Sequence, residues 1–299
     1  MSLTTPEETA LIAPERDRKH ESHFDAARVT VIRPQRRLIS FGFKDIWDYR
    51  DLLYLLVWRD VKVRYKQTVI GFAWAVLQPV VSMIVFTLIF GRGAHLATGG
   101  VPYPILTYTA LLPWQFMSTG LTTSTTSIVS SQALVTKVYF PRLLIPIGPV
   151  ISGLVDFFAG LGVLVLLMIY YHVHVGWTVL MLPVFLLFAM AVAATVGIWL
   201  SALNVRYRDI QYAVPFLVQI LFFVSPIAYS TLVFPPWIRP YLGINPIAGV
   251  VTGFRWALLG NQAAQVGSII FVSLGMMVVL LLAGIAFFRR VERSFADVV

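Results

Sequence analysis

Six stretches of this chain, residues 68–90, 104–129, 143–171, 177–203, 211–231 and 263–288, are nearly devoid of charge, with Asp156 their only acidic or basic side chain. Each is long enough to cross roughly 30 Å of hydrocarbon, which takes about 20 helical residues. Hydrophobic residues make up 58% of the sequence and charged residues 12%, against about a quarter charged in soluble domains. The expected fold is an all-α membrane protein whose six transmembrane helices occupy residues 67–288.

The placement of the cations predicts the orientation. If the helices alternate from a cytosolic N-terminus, 20 of the 23 Lys and Arg fall on cytosolic segments and only Arg92, Arg239 and Arg255 on outer ones. Cytosolic loops of membrane proteins carry such an excess, so both termini are expected in the cytosol. The net charge of +9 then reads as attraction to anionic membrane lipids, because no soluble basic domain is left for nucleic acid. Residues 1–43 carry seven Lys/Arg and six Asp/Glu without the apolar core of a cleavable signal peptide. They are expected to form a cytosolic extension, disordered at its start, and residues 289–299 a cytosolic tail. The absence of cysteine removes any disulfide framework and fits a bacterial inner (plasma) membrane protein.

"WRDVKVRYKQTVIGFAWAVLQP", residues 58–79, sets four cations within eight residues against a run with no charge. At 100° per residue, Lys44, Asp48, Asp51, Leu55, Arg59, Lys62 and Lys66 share one stripe. Ile46, Tyr49, Leu53, Leu56, Val57 and Val61 oppose it, with Trp47, Trp58 and Tyr65 at the margin. The spacing predicts an amphipathic helix over 44–66 lying in the membrane interface, followed by a turn into the bilayer near Gly71. Such a helix serves either as an anchor with snorkelling cations or as a dock for a cytosolic protein.

The spans contain residues that a plain anchor lacks. Pro79, Pro113, Pro146, Pro149 and Pro215 interrupt backbone hydrogen bonding, as in a pore-lining bundle or in irregular packing. "LTTSTTSIVSS", residues 121–131, holds eight hydroxyl side chains, suited to a close helix–helix seam or to a polar wall for a hydroxyl-rich cargo. Asp156 costs several kcal/mol inside a span unless it is paired, protonated or wetted, and so either touches cargo or bonds a neighbouring helix. Residues 231–260 are too broken by Pro and Gly to span and too apolar for a plain loop, which predicts short re-entrant or interfacial helices at the outer face.

Familiar catalytic patterns are missing. The chain has no G-x-x-x-x-G-K-[ST] phosphate loop, no H-E-x-x-H and no G-x-S-x-G. His172 and His174 lack a third ligand nearby, so no metal site and no catalytic residue is assigned.

"LVTKVYFPRLLIP" (134–146) and "NVRYRDI" (204–210), together with residues 58–79, "FFVSPIAYS" (222–230) and "NPIAGVVTGFRWALLG" (245–260), resemble the permease subunit of ATP-binding-cassette exporters of bacterial polysaccharide. That branch carries O-antigen (lipopolysaccharide), capsular polymer and teichoic acid, and the resemblance extends over about residues 40–295. It implies a homodimer of six-span subunits working with two copies of a cytosolic ATPase subunit, which binds the ATP and Mg. This chain would then hold no cofactor and would not itself be an enzyme. The resemblance also implies a coupling helix at about 127–142, with Lys137, Val138, Tyr139, Phe140 and Arg142 against the ATPase, and an interface helix bearing Arg59, Asp60, Lys62, Arg64 and Lys66. Arg206, Tyr207, Arg208 and Asp209 match the cytosolic connection of spans four and five, and 231–260 the outer re-entrant helices.

Sugars present hydroxyls and apolar ring faces, so a passage for a lipid-linked glycan is expected to use aromatic platforms. Phe72, Trp74, Trp114, Phe116 and Phe223, with Asp156, are the candidates. Two other classes remain open, an ATPase-independent carrier or channel and a membrane enzyme of glycan assembly.

Overall fold

A computed structural model of the 299-residue chain describes residues 47–66, 71–93, 100–138, 140–260, 264 and 267–292. These belong to the unit Leu38–Val299. The extension 1–43, the turn at 67–70, Tyr139, the Phe72 side chain and the tail 293–299 lie outside the described residues. The described residues are helical and contain no strand. In chain order the helices are α1 (Arg50–Tyr65), α2 (Gly71–Phe86), α3 (Tyr103–Ser130), α4 (Gln132–Lys137), α5 (Leu144–Ser152), α6 (Leu154–Tyr170), α7 (Leu182–Arg206), α8 (Ile210–Val224), α9 (Arg239–Leu242), α10 (Pro246–Leu259) and α11 (Ser268–Glu292). A π-helical turn (Thr87–Gly93) extends α2, and 3₁₀ turns lead into α7 (Trp177–Met181) and follow α8 (Thr231–Val233).

Four helical stretches are long and apolar enough to cross a membrane: Ala73–Gly91, Leu144–Tyr170, Trp177–Arg206 and Ser268–Glu292. The other two expected spans differ for physical reasons. α3 has 28 residues, about 42 Å of helix, but its hydroxyl groups and Gln115 dilute its apolarity. α8 has only 15, about 22 Å, and ends at Ser225 where the chain leaves the helix. α11 runs on to Glu292, so Arg289 and Arg290, expected in the tail, lie on its last turn.

α3 is the axis of the bundle. Nineteen of its 28 residues are buried, and α2, α5, α6, α7, α8 and α10 all pack on it. A helix enclosed by protein needs no lipid-compatible surface, which is why it tolerates so many hydroxyls. Most of these bond the helix's own carbonyls, Thr122 to Ser118 at 2.8 Å, Thr123 to Thr119 at 2.7 Å and Thr125 to Leu121 at 2.8 Å. Ser124 instead donates across the contact to the Pro146 carbonyl at 2.6 Å. A Cβ on Gly197 of α7 would stand 2.7 Å from the Ser124 Cβ, so α3 and α7 approach as closely as their backbones permit. The hydroxyl run is a helix–helix seam.

The short helices after α8 close the end of the bundle opposite the cation-rich one. Arg255 of α10, expected as an outer-loop cation, is 1% exposed. Its guanidinium donates to the backbone carbonyls of Leu106 (3.1 Å), Pro226, Tyr229 and Ile227 (2.7 Å each). These last three carbonyls belong to the irregular segment beyond α8, where no helix can satisfy them. Asn245 adds a bond to Ser225 Oγ at 2.8 Å while its carbonyl oxygen caps α10 at Ile247 N, and Tyr103 OH donates to the Ala228 carbonyl at 2.6 Å.

Replacing Arg255 by Met strips four carbonyls of their donor, and a loss of about 3–5 kcal/mol is expected. A thermal unfolding series on the solubilised protein should place Arg255→Met far below wild type and Arg255→Lys, which reaches fewer carbonyls, between them. Equal midpoints for all three would show that the staple carries no weight.

Candidate functional site

The cation-rich segments meet at one end of the bundle around a single apolar cluster. Leu56 (α1), Ile128 (α3), Val135 (α4), Phe140, Leu144 and Ile145 (α5), Ile198, Ala202 and Val205 (α7), and Phe288 and Val291 (α11) form it. Segments distant in sequence therefore share one rigid base. The Arg142 guanidinium donates to the Glu292 carbonyl at 2.9 Å and so ties the chain after α4 to the end of α11.

α1 keeps the charged stripe read from its sequence exposed: Asp48, Asp51, Leu55, Arg59, Lys62 and Lys66 all face outward. Its opposite arc also meets the rest of the bundle. Leu53 and Leu56 of that arc, joined by Leu52 from beside the charged stripe, pack on the protein, and α1 lies chiefly against α5, where Gly148 lets the Leu56 Cβ come close. Trp47 (69% exposed), Tyr54 and Trp58 (55%) project outward beside the charges, as suits a headgroup layer. Three side chains of α1 then reach other elements. Arg59 bonds Asp60 at 2.9 Å and Ser131 Oγ at 3.4 Å, which is the joint between α3 and α4. Arg64 pairs with Asp156 of α6, and Tyr65 OH donates to the same carboxylate. Burial, reinforced by that hydrogen bond, pushes the Tyr65 phenol above its ordinary pKa, so it stays a donor at neutral pH.

The expected coupling helix is shorter than its forecast of 127–142. Residues 127–130 complete α3, the chain breaks at Ser131, and α4 comprises six residues. Gln132, Ala133, Thr136, Lys137 and Val138 are exposed, whereas Phe140 is 5% exposed and spent on the core. Phe140 therefore anchors this elbow from within. Arg206, Tyr207, Arg208 and Asp209 are all exposed in the turn between α7 and α8; Arg206 stacks over the Tyr207 ring at 5.5 Å, and none of the three charges has an ion-pair partner among the described residues.

The aromatic candidates separate. Trp114 and Phe116 are buried, Trp114 edge-on to Phe222 at 5.5 Å and Phe116 edge-on to Phe157 at 5.8 Å. Trp74 and Phe223 are exposed, on α2 and near the end of α8. A cavity of ≈ 560 Å³ lies where α1, α2, α3 and α6 meet, and it brings together Arg64, Tyr65, Trp74, Phe116 and Asp156. Gln78, Gln115 and Thr119, none of them among the channel candidates, line it as well. Two signals pointed to them: Gln78 and Gln115 are polar residues that a plain anchor avoids inside a span, and Trp74 and Gln78, like Gln115 and Thr119, are four apart and share a helix face. Trp114 instead borders a smaller apolar cavity of ≈ 140 Å³.

Removing one member of the Arg64–Asp156 pair leaves a half-buried charge alone, with an expected loss of about 3 kcal/mol before discount for its partial exposure. Arg64→Leu and Asp156→Leu should each lower the unfolding midpoint, and the exchange Arg64→Asp with Asp156→Arg should recover much of it. A loss in the Arg64→Leu/Asp156→Leu double variant equal to the sum of the two single losses would show that the two side chains do not interact.

Residues 51–259 match the ABC-2 type transporter family. An O-antigen export system permease protein, RfbA of Myxococcus xanthus, is 28% identical over 257 residues, covering 85% of this chain and 97% of that protein. A Klebsiella pneumoniae protein of the same name is 26% identical over 254 residues, with 83% and 95% covered. The polysialic acid transport protein KpsM of Escherichia coli is 24% identical over 243 residues, with 79% and 92% covered. With residues 51–259 of 299 matched and four helices fit to cross a bilayer, this multi-pass membrane protein belongs to the ABC-2 type transporter family.

Proposed function

We propose that the chain is the transmembrane subunit of an ATP-driven exporter that moves a lipid-linked polysaccharide, of the O-antigen type, across the bacterial inner membrane. Two copies form the passage, each crossing the membrane six times with α3 and α8 as the second and fifth crossings. Two copies of a cytosolic ATPase subunit bind the ATP and Mg²⁺. The names of the relatives support the polysaccharide, and the cation-rich end supports the engine.

The observation that carries this reading is that the exposed faces of α1, α4 and the turn 206–209 emerge from one shared apolar base. A soluble partner that pushes on α4 moves a helix fixed through Val135 and Phe140 to α5, α7 and α11. Coupling requires contacts that differ between two nucleotide states, and stiff elbows of this kind transmit such differences. The exposed apolar faces of α2, through Leu77, Val81 and Ile84, and of α8, through Phe216 and Ile220, are covered by lipid and by the second copy. An ion-paired Asp156 weighs against a proton-driven carrier, because a relay acid must change protonation during the cycle.

A tagged chain should copurify with an ATPase. Replacing Lys137 with Glu and Val138 with Asp on the exposed side of α4 should abolish surface polysaccharide and lower transport-linked ATP hydrolysis about tenfold, the loss of roughly 1.4 kcal/mol of coupling. The unfolding midpoint should stay within error of wild type. Phe140→Asp is expected to unfold the protein instead, since it buries a charge in the core. Glycan movement at full rate by the purified chain without any ATPase would refute the coupling.

A further inference from the structure

The ≈ 560 Å³ cavity between α1, α2, α3 and α6 lies within the range of about 300–1,000 Å³ usual for small-molecule sites. Its lining is mostly apolar, but three polar side chains, those of Gln78, Gln115 and Thr119, make no hydrogen bond with any described residue. They form two ridges on facing helices. Gln78 stands one turn from Trp74 on α2, and Thr119 one turn from Gln115 on α3. Arg64, Tyr65 and Asp156, bonded to one another, complete the wall.

Charge and hydrogen bonding decide what fits. The only cation and the only anion among the described residues that line the cavity neutralise each other, so a phosphate or pyrophosphate finds no surplus positive charge there. An acyl chain would strip water from three unbonded polar groups, at about 1–3 kcal/mol each. What satisfies both is a neutral ligand with an apolar face for the Trp74 indole and hydroxyls for the amides and Thr119. A pyranose ring has this chemistry.

We propose that this cavity binds a single neutral pyranose unit, with Trp74 as its platform and Gln78, Gln115 and Thr119 as its hydrogen-bonding partners. The inference rests on the exporter reading for the source of such a ring, and it places the sugar within one subunit instead of between two. The Arg64–Asp156 pair forms one wall, and α1, which carries Arg64, is bonded through Arg59 to the joint at Ser131. Motion of the elbow at α4 therefore reaches the site.

The full chain in lipid nanodiscs should show saturable binding of methyl α-D-glucopyranoside by saturation-transfer NMR, undisplaced by excess inorganic pyrophosphate. Gln115→Leu should weaken it about tenfold, the worth of one lost hydrogen bond. Trp74→Ala, at an exposed position that tolerates truncation, should weaken it while the unfolding midpoint holds. A decyl glucoside arm, corrected for partitioning into empty discs, tells the two carriers of such a ring apart. Unchanged affinity identifies a ring borne within a glycan, and affinity raised about tenfold by the tail identifies a glycolipid headgroup; either keeps the pyranose site. No saturable signal, displacement by pyrophosphate, or equal binding by wild type and both variants would overturn it. Surface export measured in parallel separates the two claims: export without sugar binding removes only this site, and sugar binding without ATPase-linked export removes only the exporter reading.

Discussion

Inside a bilayer no water is available to satisfy a polar group, and the structure is arranged around that constraint. α3 can be the enclosed axis because most of its threonines and serines bond its own carbonyls, leaving Ser124 free to bond α5 where the chain packs closely on Gly197. The break after α8 exists because Arg255 supplies the donors that a continuing helix would have supplied. At one end the protein accommodates irregular backbone, and at the other it gathers its cations.

The cation-rich end is mechanically continuous. α4 is tied through Val135 to the apolar base, Ser131 at its start accepts from Arg59, and α1 carries on to Asp156 by way of Arg64. A displacement at α4 therefore has a short covalent and hydrogen-bonded route to the cavity wall. No contact in that route depends on lipid. The cation-rich face is left to whatever binds it from the aqueous side.

Helix positions and the outward stripe of α1 were legible because charge contrasts sharply with everything apolar. The same contrast fails among apolar residues. Lipid chains are as apolar as a leucine core, so hydrophobic pattern in a span does not tell core from lipid face or from cavity. Trp74, Trp114 and Phe116 look alike in one dimension, yet the first is exposed and the other two are buried. Phe140 reads as a contact residue beside Lys137 and turns out to be the anchor.

From the chain of residues alone came the membrane class, the one-sided distribution of cations and the segments that bear them, because these depend on composition and local spacing. Which groups meet came from the tertiary structure. Asp156 finds Arg64 92 residues away, and Arg255 finds Leu106 149 residues away. Such partners are chosen by how helices pack, and in a bilayer an unpaired polar group has no solvent to fall back on, so packing decides whether a charge becomes a liability, a staple or the wall of a site.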